Sequence, residues 1–268
     1  MIEVLQYEFM RNALMAGLLV SIACGIIGAL VVVNRIVFIS GGIAHASYGG
    51  IGLAFFAGFS PNMGAALAAL ISALIMGLVS RGKKHRADTV IGVIWAVGMS
   101  TGIILIDLTP GYNVDLMSYL FGSILMVPKS SLWTMAVMNL GIFILIQLFY
   151  RDFLTMSYDE EFAVAMGVPV GALYFLLLIM VALTVVMTIQ VVGLILVIAL
   201  LTIPSYLAEK YTRSLKSMML AAVLISIFFT QTGIWLSYYL NLTTGATIVM
   251  VAAAFFFLSG LVSKIPYK

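Results

Sequence analysis

Long apolar runs recur along this chain from Phe9 to Leu261, and no polar stretch between them is long enough to form a globular domain. The residues are 63% hydrophobic and only 9% charged, whereas about a quarter of the residues of an ordinary soluble domain are charged. A water-soluble fold of 268 residues has too little interior to bury that much apolar surface. We therefore predict an all-α polytopic membrane protein in which residues 1–268 form a single transmembrane domain.

Eight of the apolar runs are long enough to cross a bilayer, which requires about 20 mainly apolar residues. The predicted spans cover residues 10–33, 37–58, 62–80, 89–107, 130–149, 171–190, 217–239 and 245–262. Two shorter stretches leave the count open at eight or nine. Residues 193–207, which contain Pro204, form either a ninth span or a kinked helix that dips into the membrane, and residues 115–127 have the length of a re-entrant helix.

The basic residues indicate the orientation of the chain, because Lys and Arg are retained in cytoplasmic loops. With a ninth span counted, all thirteen Lys and Arg residues except Arg11 and Lys129 fall on one side of the membrane. This asymmetry predicts an outside N-terminus, an inside C-terminus and a cytoplasmic loop over residues 151–170. The net charge of +3 reports this topology and does not indicate a nucleic-acid partner.

Ionisable residues are scarce within the spans, which limits how transport can be driven. Between Arg35 and Arg81 there is no Asp, Glu, Lys or Arg, whereas carriers driven by ion gradients bind their ions with such groups inside the membrane. A secondary carrier and an intramembrane enzyme are therefore disfavoured. Asp107 and Asp115 flank a turn at the predicted outer mouth, where they either attract cations by their field or are simply solvated.

The cytoplasmic loop contains the pattern of a short helix. Ser157 and Glu160 have the spacing of a capping box, Gly167 suits the C-terminal turn, and Pro169 prevents continuation. The pattern predicts a helix of about nine residues, roughly 14 Å long, which is too short to span the membrane. Three consecutive acids at 159–161 are better suited to docking on a cytoplasmic ATP-binding subunit than to resting on anionic lipid headgroups. The residues predicted to couple to that ATPase are Asp159, Glu160, Glu161 and Gly167.

Five segments along the chain are similar, in order and spacing, to those of one family of transport proteins. Over nearly all its length the chain resembles the ABC-3 family of ABC-transporter permeases, the membrane subunits of bacterial and archaeal zinc, manganese and iron importers. The matching segments are Phe38-Ile-Ser-Gly-Gly-Ile-Ala-His45-Ala-Ser, residues 115–125, Asp159–Gly167, Val191–Pro204 and Thr244–Ile248.

The resemblance implies a set of partners and a location. A permease of this family pairs with a second permease subunit, either a copy of itself or a sibling, around a central pathway. Two cytoplasmic ATPase subunits drive it, and an extracytoplasmic metal-binding protein delivers the ion. The chain itself is then a transport subunit without enzymatic activity, located in the prokaryotic cell (inner) membrane. Its substrate is a divalent metal ion, and no tightly bound cofactor is expected.

The second span contains the predicted metal position of the pathway. Many family members carry an Asp four residues before the His, which places a carboxylate and an imidazole on one helix face. Here that position is Gly41, and His45 stands without it. His45 is therefore either a transient pathway ligand, with a symmetry-related His45 as second donor, or a packing residue that donates a hydrogen bond across a seam of small residues. The identity of the ion stays open.

Small residues and one proline mark the positions predicted to pack closely or to bend while the pathway alternates between outside-open and inside-open states. These positions are Gly41, Gly42, Gly49, Gly193 and Pro204. A permease for metal chelates or vitamins remains the alternative function, because it would share the docking helix but enclose a wider and less polar pathway.

Overall fold

The computed structural model describes residues 4–82, 87–110, 122, 124 and 127–262. Within these residues, a 3-10 turn at Val4–Gln6 precedes eleven α-helices. The helices are α1 (Glu8–Val33), α2 (Val37–Ala57), α3 (Pro61–Gly82), α4 (Ala87–Asp107), α5 (Lys129–Leu148), α6 (Tyr150–Tyr158), α7 (Glu160–Ala165), α8 (Val170–Val192), α9 (Leu194–Tyr211), α10 (Leu215–Leu240) and α11 (Thr244–Val262).

Eight of the described helices are long and apolar enough to cross a membrane: α1 to α5, α8, α10 and α11. Their bounds follow the eight predicted spans to within a few residues, so the polytopic all-α fold is confirmed. The open stretch at 193–207 lies in α9, an 18-residue helix with Pro204 inside it. At about 1.5 Å per residue, α9 is roughly 27 Å long, close to the thickness of the hydrocarbon core. Most of the predicted re-entrant helix at 115–127 lies outside the described residues.

The helices form two compact units. The first consists of Met1–Val32, Met117–Asn139 and Gln190–Lys268. In it, α1 contacts α10 through polar side chains: Ser21 donates a hydrogen bond to Thr230 Oγ1 at 3.0 Å, and the side-chain amide Nε2 of Gln231 donates to the Leu14 carbonyl at 3.0 Å. Helices α9, α10 and α11 pack on one another. Their shared core is formed by Leu207, Phe229 and Ala252.

The second unit consists of Val33–Leu116 and Leu140–Ile189. Its centre is α2, which packs against both α3 and α4. Glycines allow this contact: a Cβ at Gly50 would fall against the Gly64 carbonyl oxygen of α3, and a Cβ at Gly49 would lie 2.8 Å from the Gly98 carbonyl oxygen of α4. Such close helix contacts through small residues are typical of membrane helices.

The cytoplasmic segment differs from its prediction in one respect. The expected single helix of about nine residues capped by Ser157 is wrong, because the chain forms two helices, α6 and α7, separated at Asp159. The Asp159 side chain caps α7 by accepting a hydrogen bond from the Phe162 amide at 2.9 Å. Ser157 lies in the last turn of α6 and accepts a hydrogen bond from Asn34 Nδ2 at 2.9 Å. The Ser157 hydroxyl, which the sequence pattern predicted to cap the short helix, therefore forms a tertiary hydrogen bond with Asn34 instead.

The predicted end of the short helix is present. Gly167 has a φ of +80°, the left-handed conformation that commonly follows a helix C-terminus. Helix α8 begins at Val170, immediately after Pro169. The segment between α5 and α8 thus consists of two short helices, and the six-residue helix α7 is too short to cross a membrane.

Candidate functional site

The His45 side chain lies in the interior of the second unit, between α2 and α4. Its relative exposure is 8%, and its imidazole ring stacks on the indole ring of Trp95, with ring centroids 4.0 Å apart and planes inclined by 10°. This pairing could not be predicted from the sequence, since Trp95 is an isolated aromatic residue in an apolar span. His45 and Trp95 together are called the His45 site below.

One nitrogen of the His45 site has no hydrogen-bond partner in the described part of the chain. His45 Nδ1 is buried and unpaired there. Trp95 does not supply a partner, because its Nε1 donates to Met99 Sδ at 3.3 Å. Buried polar atoms in folded proteins are nearly always hydrogen-bonded, so an unpaired one points to a ligand, an ion or water. In the described residues the imidazole of His45 contacts α4 by stacking on Trp95, and its Nδ1 makes no hydrogen bond across the helix seam.

The approach of α4 to α2 follows from the small residues that line both helices. A Cβ at Gly42 would lie 2.6 Å from Ile91 Cγ2 of α4, and a Cβ at Gly98 would lie 2.7 Å from the Ala46 Cα of α2. With larger residues at these positions the helix backbones would be held apart. Trp95 could then not reach the face of the imidazole, so the glycines of α2 and α4 position the His45 site.

The surroundings of His45 contain few other metal-binding groups. Gly41, one helical turn earlier, is buried in α2. In the described residues, no group of three or more His, Cys, Asp or Glu side chains is arranged to hold a metal ion. Within one chain the His45 site therefore offers an imidazole nitrogen and an aromatic face, which suits brief contact with a passing ion better than retention of it.

Of the two acids predicted at the outer entrance, Asp107 lies within the described residues. Asp107 is the last residue of α4 and is exposed. Asp115 lies outside the described residues. Of the positions predicted to bend, Gly193 precedes α9 with a φ of 78°, and Pro204 lies inside α9. Their role in motion stays a prediction.

The α7 helix exposes an apolar surface that the sequence reading did not single out. Phe162, Val164 and Met166 are each more than half exposed. They follow the three exposed acids Asp159, Glu160 and Glu161 on the same short element. The residues 159–166 are called the docking face below. The sequence contains the signal for it, because three apolar residues lie within a loop predicted to be cytoplasmic, where contact with a partner would remove them from water.

A chain of contacts connects the docking face to α2 within the second unit. Helix α8 follows α7 directly, and its Tyr174 ring lies under the Arg81 guanidinium of α3, with Cζ 5.9 Å from the ring centroid. Gly77, one turn earlier on α3, packs against Phe175 and Leu178 of α8. Helix α3 in turn packs against α2, which carries His45.

Comparison with known proteins finds relatives that cover nearly the whole chain. The sequence model of the ABC 3 transport family matches residues 6–263. An uncharacterised membrane protein of Synechocystis is 52% identical over 97% of this chain and 92% of its own length. The manganese transport system membrane protein MntC of Halalkalibacterium halodurans is 34% identical over 96% of this chain and 88% of its own length.

A solved structure shows the same fold. PsaBC from Streptococcus pneumoniae, in complex with Fab, matches with a TM-score of 0.88 and 32% identity, covering 98% of this chain and 95% of the matched chain. The eight membrane-crossing helices, the sequence match and this structural match agree with one another. The resemblance found in the sequence is thereby confirmed: the chain is a multi-pass membrane protein of the ABC 3 transport family.

Proposed function

We propose that this chain is the membrane-spanning permease subunit of an ABC importer for a divalent transition metal ion, driven by a separate ATPase subunit. Membership of the ABC 3 transport family and the manganese transport name of the Halalkalibacterium relative support the substrate class. The chain performs no covalent step in this proposal. Its helices provide a pathway whose two ends open alternately, while ATP is hydrolysed elsewhere.

The observation that carries the proposal is the unpaired Nδ1 of His45. Ionisable side chains inside membrane spans are costly and are usually functional. A neutral imidazole nitrogen is a good ligand for Zn²⁺ and Fe²⁺, whereas Mn²⁺ favours oxygen ligands. The proposal therefore covers all three ions, and transport measurements distinguish them.

A transient site needs more than one donor. Since Gly41 supplies none, we assign the second imidazole to His45 of a second permease copy, so that two identical chains share one ion. Weak, two-donor binding lets the ion enter and leave, as conduction through a membrane requires. An extracytoplasmic metal-binding protein would deliver the ion to the outer mouth, near Asp107.

The docking face is the proposed contact with the ATPase. A short helix that presents apolar side chains with acids around them fits an apolar groove with a basic rim on the partner. Movement of this helix would pass through the contact of Tyr174 with Arg81 to α3, and from there to α2.

A permease for metal chelates is the second candidate. The observation that favours it is Gly41 in the place of a carboxylate, together with the lack of a cluster of three metal-binding side chains in the described residues. A chelate brings its own ligands, so a pathway for it needs fewer.

The test is ATP-dependent uptake of Mn²⁺, Fe²⁺ and Zn²⁺ into vesicles that contain the permease with its ATPase and binding protein. Two variants of His45 are compared. His45→Phe keeps an aromatic ring to stack on Trp95 but removes both nitrogens, and His45→Ala removes the ring as well. If His45 is a ligand, both variants lose uptake of the transported ion by at least about fivefold, because one lost ligand costs about 1 kcal/mol or more.

Two outcomes would count against this assignment. Uptake that survives in His45→Phe but falls in His45→Ala would make His45 a packing residue. Lack of uptake of any free ion by the unchanged complex, with uptake of a metal chelate, would favour the second candidate.

A further inference from the structure

A groove distinct from the His45 site lies in the first unit, where α9, α10 and α11 meet. Its volume is about 430 Å³, within the range of roughly 300–1,000 Å³ typical of small-ligand sites. Leu207 and Phe229, which are buried, form its base, while Leu224, Phe228 and Phe255 are exposed around it. The Phe228 and Phe255 rings meet edge to face with centroids 5.2 Å apart, so the wall of the groove is an ordered aromatic surface.

A lysine is fixed at one end of this groove. Lys210 Nζ donates a hydrogen bond at 3.3 Å to Ser259 Oγ, and Ser259 lines the groove. The same ammonium lies 5.0 Å from the centroid of the Tyr206 ring. Lys210 is exposed, and these two contacts place its charge at the mouth of the apolar groove.

The surrounding charge is strongly positive. Arg213 and Lys216, both exposed, follow Lys210 between the end of α9 and the first turn of α10, and Glu209 is the one acid in this stretch of the chain. Lys210 is the next-to-last residue of α9, and Ser259 lies one turn before the end of α11. The positive-inside rule assigns these helix ends to the cytoplasmic face, where basic clusters at membrane helices attract anionic lipid headgroups.

We infer that this groove binds one anionic phospholipid of the inner leaflet. Its phosphate lies against Lys210, and one of its acyl chains lies along Phe228 and Phe255. Charge complementarity selects this occupant, because an apolar partner helix would leave the ammonium at the mouth of the groove without a counter-ion, whereas a lipid phosphate supplies one. The inference is independent of the transported substrate and of the role of His45.

The test is native mass spectrometry of the full-length chain in detergent, titrated with phosphatidylglycerol and with phosphatidylethanolamine of the same acyl chains. The expected result is tighter binding of one phosphatidylglycerol molecule. Lys210→Gln should weaken that binding about fivefold, the effect of one lysine near an anionic headgroup, and leave phosphatidylethanolamine binding unchanged. Lys210→Arg should keep the preference, because it keeps the charge.

Two further variants separate this site from general effects of charge and folding. Arg11→Gln removes a cation at the predicted outer end of the same unit and should not alter the preference. Leu224→Trp, a change at an exposed position beside the groove, should obstruct the acyl chain and weaken binding while Lys210 is intact. Equal affinity of the unchanged chain for the two lipids, or a preference that persists in both Lys210→Gln and Leu224→Trp, would overturn the inference.

Discussion

One side chain is central to each of the two proposed sites, the ion pathway and the contact with the ATPase. His45 presents an unpaired imidazole nitrogen inside the membrane, and Asp159 organises the docking face by capping α7. The two depend on different physics. The cap is a local hydrogen bond across three residues, whereas the orientation of the imidazole depends on an indole that lies fifty residues further along the chain, Trp95.

The role of Asp159 can be tested directly. Replacing it with Ala removes the acceptor for the Phe162 amide and should destabilise α7 by roughly 1 kcal/mol, the usual cost of losing an N-cap. Hydrogen–deuterium exchange of residues 160–166 should then become faster. Glu161→Ala, which removes an exposed acid of the same helix but no cap, is the matched control. Equal exchange in the two variants would show that Asp159 does not hold α7 in place.

At the scale of elements, the contact of α2 with α3 and α4 depends on glycines rather than on large interlocking side chains. The backbones approach so closely at Gly50 that a methyl group would meet the Gly64 carbonyl oxygen. Because α2 carries His45, the geometry of this seam also determines where the imidazole lies. By contrast, a Cβ at Gly92 of α4 would meet no atom within 4 Å.

Gly50 and Gly92 therefore provide a matched pair of substitutions. Gly50→Ala should destabilise the permease by roughly 1–3 kcal/mol, because α2 and α3 must separate to admit the methyl group. Gly92→Ala should be neutral or stabilising by up to about 1 kcal/mol, because alanine favours the helix and has free space. Thermal unfolding in detergent measures both. A Gly50→Ala variant as stable as Gly92→Ala would contradict the close contact.

At the scale of the whole molecule, the topology depends on whether α9 crosses the membrane, because that decides the direction in which α10 and α11 cross. Eight helices have the length and composition of spans, and an outside N-terminus with an inside C-terminus requires a ninth crossing. The distribution of Lys and Arg favours that ninth crossing.

Labelling with a membrane-impermeant maleimide tests the topology. Cys24 is the single cysteine of the sequence and is buried, so Cys24→Ala provides the background. In intact cells, Lys129→Cys should react, whereas Arg213→Cys should react only after the membrane is permeabilised. Reaction of Arg213→Cys in intact cells would mean that α9 does not cross.

Much of the fold could be predicted from the sequence, because membrane spans are a property of composition. A run of about 20 apolar residues has few alternatives to a helix across the bilayer, since lipid offers no partner to its backbone groups. The left-handed turn at Gly167 was likewise predicted, because it depends on local backbone conformation. The five matching segments, two of which contain His45 and Asp159, were sufficient to identify the family.

The cap of α7 and the surroundings of His45 could not be predicted in the same way. Ser157 and Asp159 are both good caps by residue type, and a distant side chain, Asn34, decided between them by binding Ser157. The residues around His45 in the sequence do not distinguish an ion ligand from a residue that packs between helices. The positions of the membrane helices and the family of the chain follow from the residues alone, because apolar length and local turn chemistry act within a short segment. The tertiary structure decided which side chains meet, because stacking on Trp95 and the aromatic groove beside Lys210 join residues that only helix packing brings together.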